Sequence, residues 1–348
     1  MSQRTPLVSI GMPVRNGEKY LHFAIESLLS QTMGDLEVVV CDNCSSDNTE
    51  EMCREFVRRD PRVKYFRNER DLGPAQNHTR CFENSTGKYF RWHAHDDMCE
   101  ARYLEAVVPV LDKDPTVANS HTWTRVITEK NDPMRDYNFW AGTDHPNPAT
   151  RFHRLVNVKH RHHVCYEIFG LMRREQMART QLEPPFPHGD RFFLVRMALQ
   201  GRFVEVPERL FLARSHPSQS IQSKTTRAKY LAFLGTGPLP PAEWWDASKK
   251  GKVVFPEWKL VSEYWNAIDE FPLSLQQSLR CRLSVMQWCV RNFAKLGRDV
   301  AYAVEHAVTR GHNLNPPQAP SPKAPVRPIE RNVPAQPVEP PVLQRDVA

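Results

Sequence analysis

The chain has 348 residues, 40% of them hydrophobic, with 47 basic against 40 acidic side chains, a net charge of +7 and a pI near 9.0. That length suits one main domain with a helical appendage, and no run approaches the roughly 18 to 20 apolar residues of a membrane-spanning helix. The basic excess is spread along the chain without a Lys/Arg run, which argues against nucleic acid and leaves a phosphate-bearing substrate or a peripheral contact with a membrane surface as its expected use.

The polar start, Met1 to Pro6, does not read as a secretory signal, so a cytoplasmic location is expected. The eight cysteines are scattered and do not form the framework of a secreted mini-domain. Cys41 and Cys44 form a C-x-x-C, but no second pair at zinc spacing follows, so buried thiols are expected. Asn77-His78-Thr79 and Asn84-Ser85-Thr86 match a glycosylation pattern that has no meaning without export.

Leu7 to Met12 reads as a buried strand, and Leu21, Ala24, Ile25, Leu28 and Leu29 recur at helical spacing after it. Leu36 to Cys41 is a second apolar run. Asp47-Asn48-Thr49-Glu50 then reads as a capping box opening a helix with Met52, Cys53, Phe56 and Val57. Val63 to Phe66 gives a third strand, Gly73-Pro74 a turn and helix start, and Tyr89 to Ala94 a fourth strand that stops at Asp96-Asp97. This alternation predicts an α/β fold with a mostly parallel sheet flanked by helices. Ligands of such sheets bind beyond the carboxyl ends of the strands, which brings Pro13 to Asn16, Asp42 to Ser46 and His95 to Asp97 together.

A helix is expected over Ala101 to Leu111, one or two strands over Val117 to Ile127, and a long loop over Asn131 to Thr150. Then come a His-rich loop, a strand-like Tyr166 to Met172, a turn at Pro184 to Gly189, a helix from Arg191, and strands at Phe203 to Val206 and Leu210 to Ala213. The expected organisation is a domain over residues 1–222, in two halves, 1–125 and 126–222. A helical extension over 223–312 follows, with Trp258, Tyr264, Trp265, Leu279, Leu283 and Trp288 as packing anchors, and then a disordered Pro-rich tail over 313–348.

Two adjacent carboxylates such as Asp96-Asp97 repel unless a cation or solvent relieves them, and Mg²⁺ or Mn²⁺ typically uses one or two carboxylates together with substrate phosphates. The same residues would also serve as the N-cap of the following helix. Asp42, ending a strand, can meet a base edge or ribose, or act as a turn aspartate. His153, His160, His162 and His163 lack the paired spacing of a zinc site and read as part of a loop.

Val8 to Leu21, Asp42 to Thr49, Asn68 to Asn77, and Gly87 to Phe90 leading into His95-Asp96-Asp97 together resemble the family 2 glycosyltransferases of GT-A fold. The resemblance is strong over residues 5 to 125 and looser over Phe169 to His216. It implies an inverting transferase that moves a sugar from a nucleotide-diphosphate sugar to an acceptor hydroxyl in polysaccharide, glycolipid or glycan assembly, with residues 1–125 as the nucleotide-sugar donor half and 126–222 as the acceptor half. A UDP-sugar is the favoured donor, GDP or TDP the alternatives, and the acceptor is a glycan or a lipid-linked glycan.

Carried over by position, Pro13, Arg15 and Asn16 would line the nucleoside pocket, Asp42 would meet the base, and Asp96 and Asp97 would hold the ribose-phosphate and the Mg²⁺ or Mn²⁺. Asp190 would be the general base, and His216 would close over the diphosphate. Two positions depart from the pattern: Arg15 stands where an aromatic residue is usual, and Ala94 where the acidic run usually begins. A sugar nucleotidyltransferase would share the sheet and the acidic pair but usually carries a Gly-rich, basic first loop that residues 11–17 lack. A non-catalytic scaffold derived from a transferase is the alternative from another class, and the joint presence of Asp42, Asp96, Asp97 and Asp190 speaks against it.

Overall fold

The structure is a computed structural model that describes residues 5–159, 163–217, 219, 242–249 and 252–312. The expected tail over 313–348, and residues 223–241 of the expected extension, lie outside the described residues.

The first half alternates strand and helix: β1 Val8–Val14, α1 Leu21–Leu29, β2 Leu36–Asp42, α2 Thr49–Arg59, β3 Val63–Arg67, α3 Pro74–Glu83 and β4 Tyr89–Trp92. β3, β2, β1 and β4 are neighbours in that order and mutually parallel. Continuous apolar runs are what such strands need, because each strand is covered on both faces. Within β2, Val38 and Val40 pack with Leu21, Ile25, Leu28 and Phe56 on one face. Val39 and Cys41 pack with Cys81, Phe90, Trp92 and Phe193 on the other.

Beyond β4 the sheet becomes mixed. After β5 Met98–Cys99 and α4 Tyr103–Lys113 come β6 Val117–Ile127, β7 Pro133–Tyr137, α5 Pro148–Val156, a 3₁₀ turn Tyr166–Phe169 and β8 Leu171–Arg173. The chain continues through α6 Arg174–Met177, α7 Gly189–Gln200 and β9 Arg202–Arg214. β8 runs antiparallel to β4 and β6, β9 runs parallel to β6, and β5 and β7 pair antiparallel with β9 and β6. The extension comprises α8 Ala242–Trp245, a 3₁₀ turn Ala247–Lys249, α9 Pro256–Glu270, α10 Leu275–Arg291 and α11 Phe293–His312. No described helix is long and apolar enough to cross a membrane.

Several local expectations change. β4 ends at Trp92, so Ala94 lies in the turn that follows. The strand expected over Tyr166 to Met172 is the 3₁₀ turn plus the three-residue β8. Residues 131–150 contain β7 and the start of α5, and the two strands expected after Gly201 are one long β9 with register shifts against β6. The N-cap of α2 is Asn48, which makes no side-chain cap bond; Asp47 Oδ1 accepts from Thr49 N at 3.1 Å, and Glu50 turns to Arg54 and Arg67. The reciprocal capping box stands at Ser274 and Gln277, opening α10.

The described residues up to His306 form one compact unit in which α9 packs on α7 and α10, and α10 packs on α5. Tyr264 and Trp288 are buried anchors there, as expected, but Trp258, Trp265, Leu279 and Leu283 are exposed. The two ends of α7 are fixed differently. Gly189 is required because a Cβ would lie 2.9 Å from Pro184 O, and Arg196, fully buried, forks onto Glu270 and reaches Glu263 of α9.

Candidate active site

The loops after β1, β2 and β4 leave the sheet at its carboxyl edge. The first two are tied together: Asn43 N donates to Val14 O (2.8 Å), Asn16 N to Ser45 Oγ (2.9 Å), Gly17 N to Thr49 Oγ1 (2.8 Å) and Ser46 N to Asn16 Oδ1 (2.9 Å). Both turns place a non-glycine residue at positive φ, Asn16 at 54° and Cys44 at 60°. Such backbone costs of order 1 kcal/mol or more per residue and persists only where surrounding bonds hold it. All eight cysteines are free thiols, so Cys41 and Cys44 are not a disulfide pair.

The expectation that Asp42 meets a base edge is corrected. Its side chain is fully buried, Oδ1 accepting from Ser45 N (2.9 Å) and Oδ2 from the Tyr65 hydroxyl (2.8 Å), so both oxygens are used in holding the loop. The neighbouring Asn43 is a buried hub: its Oδ1 accepts from Asn68 Nδ2 and Leu72 N, and its Nδ2 donates to Asp71 Oδ1 at 2.6 Å. This network presents Asp71 to Arg15, and the two form an ion pair with both side chains near half exposed. Pro13 is half-buried.

The end of β9 closes on the acidic pair. Arg214 N donates to Asp97 Oδ1 (2.8 Å), its Nε donates to Asp96 O (2.7 Å), and its Nη1 holds Thr128 O, Glu129 O and Asn131 Oδ1. His216 Nε2 lies 2.8 Å from Asp96 Oδ2, and its ring packs on Tyr20. The helix-cap alternative for the pair fails, because the next helix, α4, has Arg102 at its N-cap.

Burial pushes the Asp97 carboxyl well above the usual range, and the charge of Asp96 pushes it further. For Asp96 burial acts in the same direction, but the hydrogen bond from His216 and the charges of His95 and His216 outweigh it and hold the carboxyl at about 2. Behind the pair stands Arg91, fully buried, its guanidinium 4.1 Å from the Tyr103 ring centroid and its Nη1 3.1 Å from Cys99 Sγ. Its charge partly offsets the upward shift of Asp97. The only mark of Arg91 in the sequence is that it is a lone arginine inside the apolar strand Tyr89–Trp92.

The donor set suits a divalent cation only in part. Among the described residues no group of three or more His, Cys, Asp or Glu side chains converges to hold a metal. Asp96 and Asp97 offer the hard oxygen ligands that Mg²⁺ and Mn²⁺ take, and such ions complete their shells with water and substrate phosphate. Arg214 Nη2 is buried without a hydrogen-bond partner beside the pair, a free donor suited to a phosphate oxygen.

On the other side, Asp190 stands in the first turn of α7, half-buried, with Oδ1 accepting from Arg191 N at 2.8 Å. The residue before the helix, His188, has φ 72°, and Cys165 and Leu182 also adopt positive φ, at 58° and 53°. Cys165 and Tyr166 lie between the two acidic sites: burial and then the Asp190 charge raise the Cys165 thiol, while burial and then the Asp97 charge raise the Tyr166 hydroxyl to about 12. Of the His-rich group, two members are described. His153 is on α5 and meets Ser284 Oγ at 3.0 Å, His163 is buried against Glu167 at 2.9 Å, and His160 and His162 lie outside the described residues.

Residues 9–179 match the profile of glycosyl transferase family 2, and this part of the chain is a domain of that family. An uncharacterized glycosyltransferase of Methanocaldococcus jannaschii is 29% identical over 134 residues, 38% of this chain and 46% of that protein. A chondroitin synthase of Escherichia coli is 34% identical over 126 residues, 36% of this chain and 18% of that protein. The chain spans less than half the length of these curated relatives. A solved structure of S. aureus TarS 1-349 in complex with UDP-GlcNAc matches with a TM-score of 0.51 and 14% identity over 87% of this chain and 92% of that one, a likeness of fold.

Proposed function

We propose that this chain is an inverting glycosyltransferase that moves a sugar from a nucleotide-diphosphate donor to an acceptor hydroxyl on a glycan or lipid-linked glycan. The observation that carries the reading is the closure of Arg214 and His216 over Asp96-Asp97, beside the laced loops of β1 and β2, within a family 2 domain. A UDP-sugar is the favoured donor, in keeping with the UDP-GlcNAc held by the structural neighbour, and the cytoplasm is its proposed location. Pro13, Arg15 and Asn16 line the nucleoside side, where Arg15 and Asp71 together offer a donor and an acceptor to a base edge.

Asp96 and Asp97 would hold Mg²⁺ or Mn²⁺, whose charge stabilises a departing nucleoside diphosphate. Arg214 and His216 keep the two carboxylates in place from the protein side. Asp190 takes the proton of the acceptor hydroxyl as its oxygen bonds to the anomeric carbon from the face opposite the diphosphate. The bond to the diphosphate oxygen breaks with its electron pair, and the sugar is transferred with inversion. The acceptor half, residues 126–222, supplies Asp190, and the extension buttresses its helix through Arg196.

Incubation with UDP-, GDP- and TDP-sugars, Mn²⁺ or Mg²⁺, and glycan or lipid-linked acceptors tests the reading by nucleoside diphosphate release. Release with one class of donor is expected. No release with any donor, with or without acceptor, overturns it.

A further inference from the structure

Helix α10 has two apolar faces. Cys281, Val285 and Trp288 are buried against the rest of the protein. Leu275, Leu279, Leu283, Met286 and Val290 recur at steps of three and four on the opposite side, and Phe293 continues the row. All six are exposed, from 54% at Leu283 to 88% at Leu275. At 1.5 Å per residue the row is about 27 Å long. A contiguous apolar surface of this length on a soluble domain marks an interaction site.

The charges around the row identify what it meets. α10 carries Arg280, Arg282 and Arg291 and no carboxylate in its 17 residues. On a helical wheel Arg280 and Arg291 lie to one side of the row, beyond the exposed Gln276 and Gln287, and Arg282 lies on the other side. Arg282 lies 4.7 Å from the ring centroid of Trp265, itself exposed, so an indole extends the apolar surface towards α9. Asp269, the nearby acid, is held by Arg282 at 2.6 Å. Leucine, methionine and phenylalanine in a row, arginines on either side and a tryptophan beside them are the composition of a helix that lies in the plane of an anionic bilayer.

We infer that the exposed face of α10 docks the protein on an anionic lipid surface, its apolar row entering the headgroup boundary and its arginines meeting lipid phosphates. The surface is separate from the proposed donor site, and the inference stands whether or not the transferase reading does. Arg282 is paired with Asp269, so the charge beside the row comes from Arg280 and Arg291, which have no carboxylate on their own helix, in a chain with a net charge of +7; that excess of positive charge favours an anionic surface as the occupant.

The test is cosedimentation of the full chain with vesicles of phosphatidylcholine mixed with phosphatidylglycerol, against phosphatidylcholine alone. The wild type should pellet with the mixed vesicles and bind the neutral ones at least about tenfold more weakly. L279D/L283D should abolish pelleting while leaving the circular dichroism and the urea midpoint unchanged, since both side chains are already exposed. R280E/R291E should remove the preference for the anionic lipid. A wild type that stays in the supernatant overturns the inference, as does equal pelleting of L279D/L283D. A concentration-dependent dimer that L279D/L283D dissociates also overturns it, handing the face to a second copy. Pelleting reads no turnover, so its failure leaves the donor-release test untouched, and a failure there leaves this one intact.

Discussion

Replacing Arg196 by methionine tests whether the helix that carries Asp190 and the C-terminal helices form one cooperative structure. Arg196 is fully buried, donates from Nε to Glu270 Oε2 at 2.6 Å and from Nη2 to Glu270 Oε1 at 2.5 Å, and reaches Glu263 Oε2 at 3.2 Å. Its guanidinium also stacks 3.4 Å from the Phe192 ring centroid. Removing one partner of a buried pair costs about 3–5 kcal/mol. The lower end applies here, because Lys259 still pairs with Glu263 and water reaches Glu270, whose side chain is 33% exposed. Methionine keeps most of the packing volume, so the loss, about 3 kcal/mol, is charge and hydrogen bonding. With an m-value of about 3 kcal/mol/M the urea midpoint should fall by about 1 M. R58M, which breaks the exposed pair with Glu55, should shift it by less than about 0.3 M. A loss below about 1 kcal/mol in R196M would refute the view that this fork joins α7 to α9.

Asp190→Asn should lower turnover by about 10² to 10⁴ while donor affinity stays nearly constant, since the base acts on the acceptor; loss of donor binding in a titration would remove Asp190 from that role. Asp97→Ala should weaken donor binding in Mn²⁺ but leave the weaker binding in chelator unchanged, and equal weakening in both would show that the carboxylate does not work through a cation. Glu37 tests the electrostatics of the sheet away from the site. Burial pushes its carboxyl up, but Lys64, Ser9 and Thr86 outweigh this and hold it below its ordinary 4.5, so the stabilisation is present above that pH and is lost as pH falls through the lowered folded value. Glu37→Gln should therefore cost about 1–3 kcal/mol near neutral pH, with the gap to wild type closing under acid, and a gap that stays constant in urea titrations would contradict the assignment.

Strands β1 to β4 and the helices between them were legible because parallel strands covered on both faces write themselves as unbroken apolar runs ended by turn residues. The second half was harder. β8 has three residues and is defined by its pairing with β4 and β6, a long-range fact with no local pattern. Trp265, Leu279 and Leu283 look like core anchors in the sequence because helical periodicity reports that a stripe exists, not which side it faces, and α10 has one stripe inward and one outward. Asp42 was placed at a base edge because a strand-end aspartate looks the same whether its oxygens face a ligand or, as here, Ser45 and Tyr65. Asp96-Asp97 and Asp190 stand out as candidates in the sequence because their positions at element ends follow from local pattern. The contacts of Arg214 and His216 that order the pair come from residues more than a hundred positions away.

Those contacts bear on how the two halves of the proposed site depend on one another. The acidic pair belongs to the donor half by sequence, yet Asp97 Oδ1 is held by the backbone of the last residue of β9, and Asp96 by His216 two residues further. β9 pairs along its length with β6, and it follows directly from α7, the helix that carries Asp190. A shift of α7 is therefore passed along one continuous segment, residues 189–214, to the carboxylates proposed to hold the diphosphate. A perturbation of the base helix that leaves Asp190 chemically intact, such as Arg196→Met, should on this ground affect donor affinity as well as turnover, whereas Asp190→Asn, which leaves α7 in place, should affect turnover alone. The contrast between the two variants separates the chemical role of the aspartate from the mechanical role of the helix that presents it.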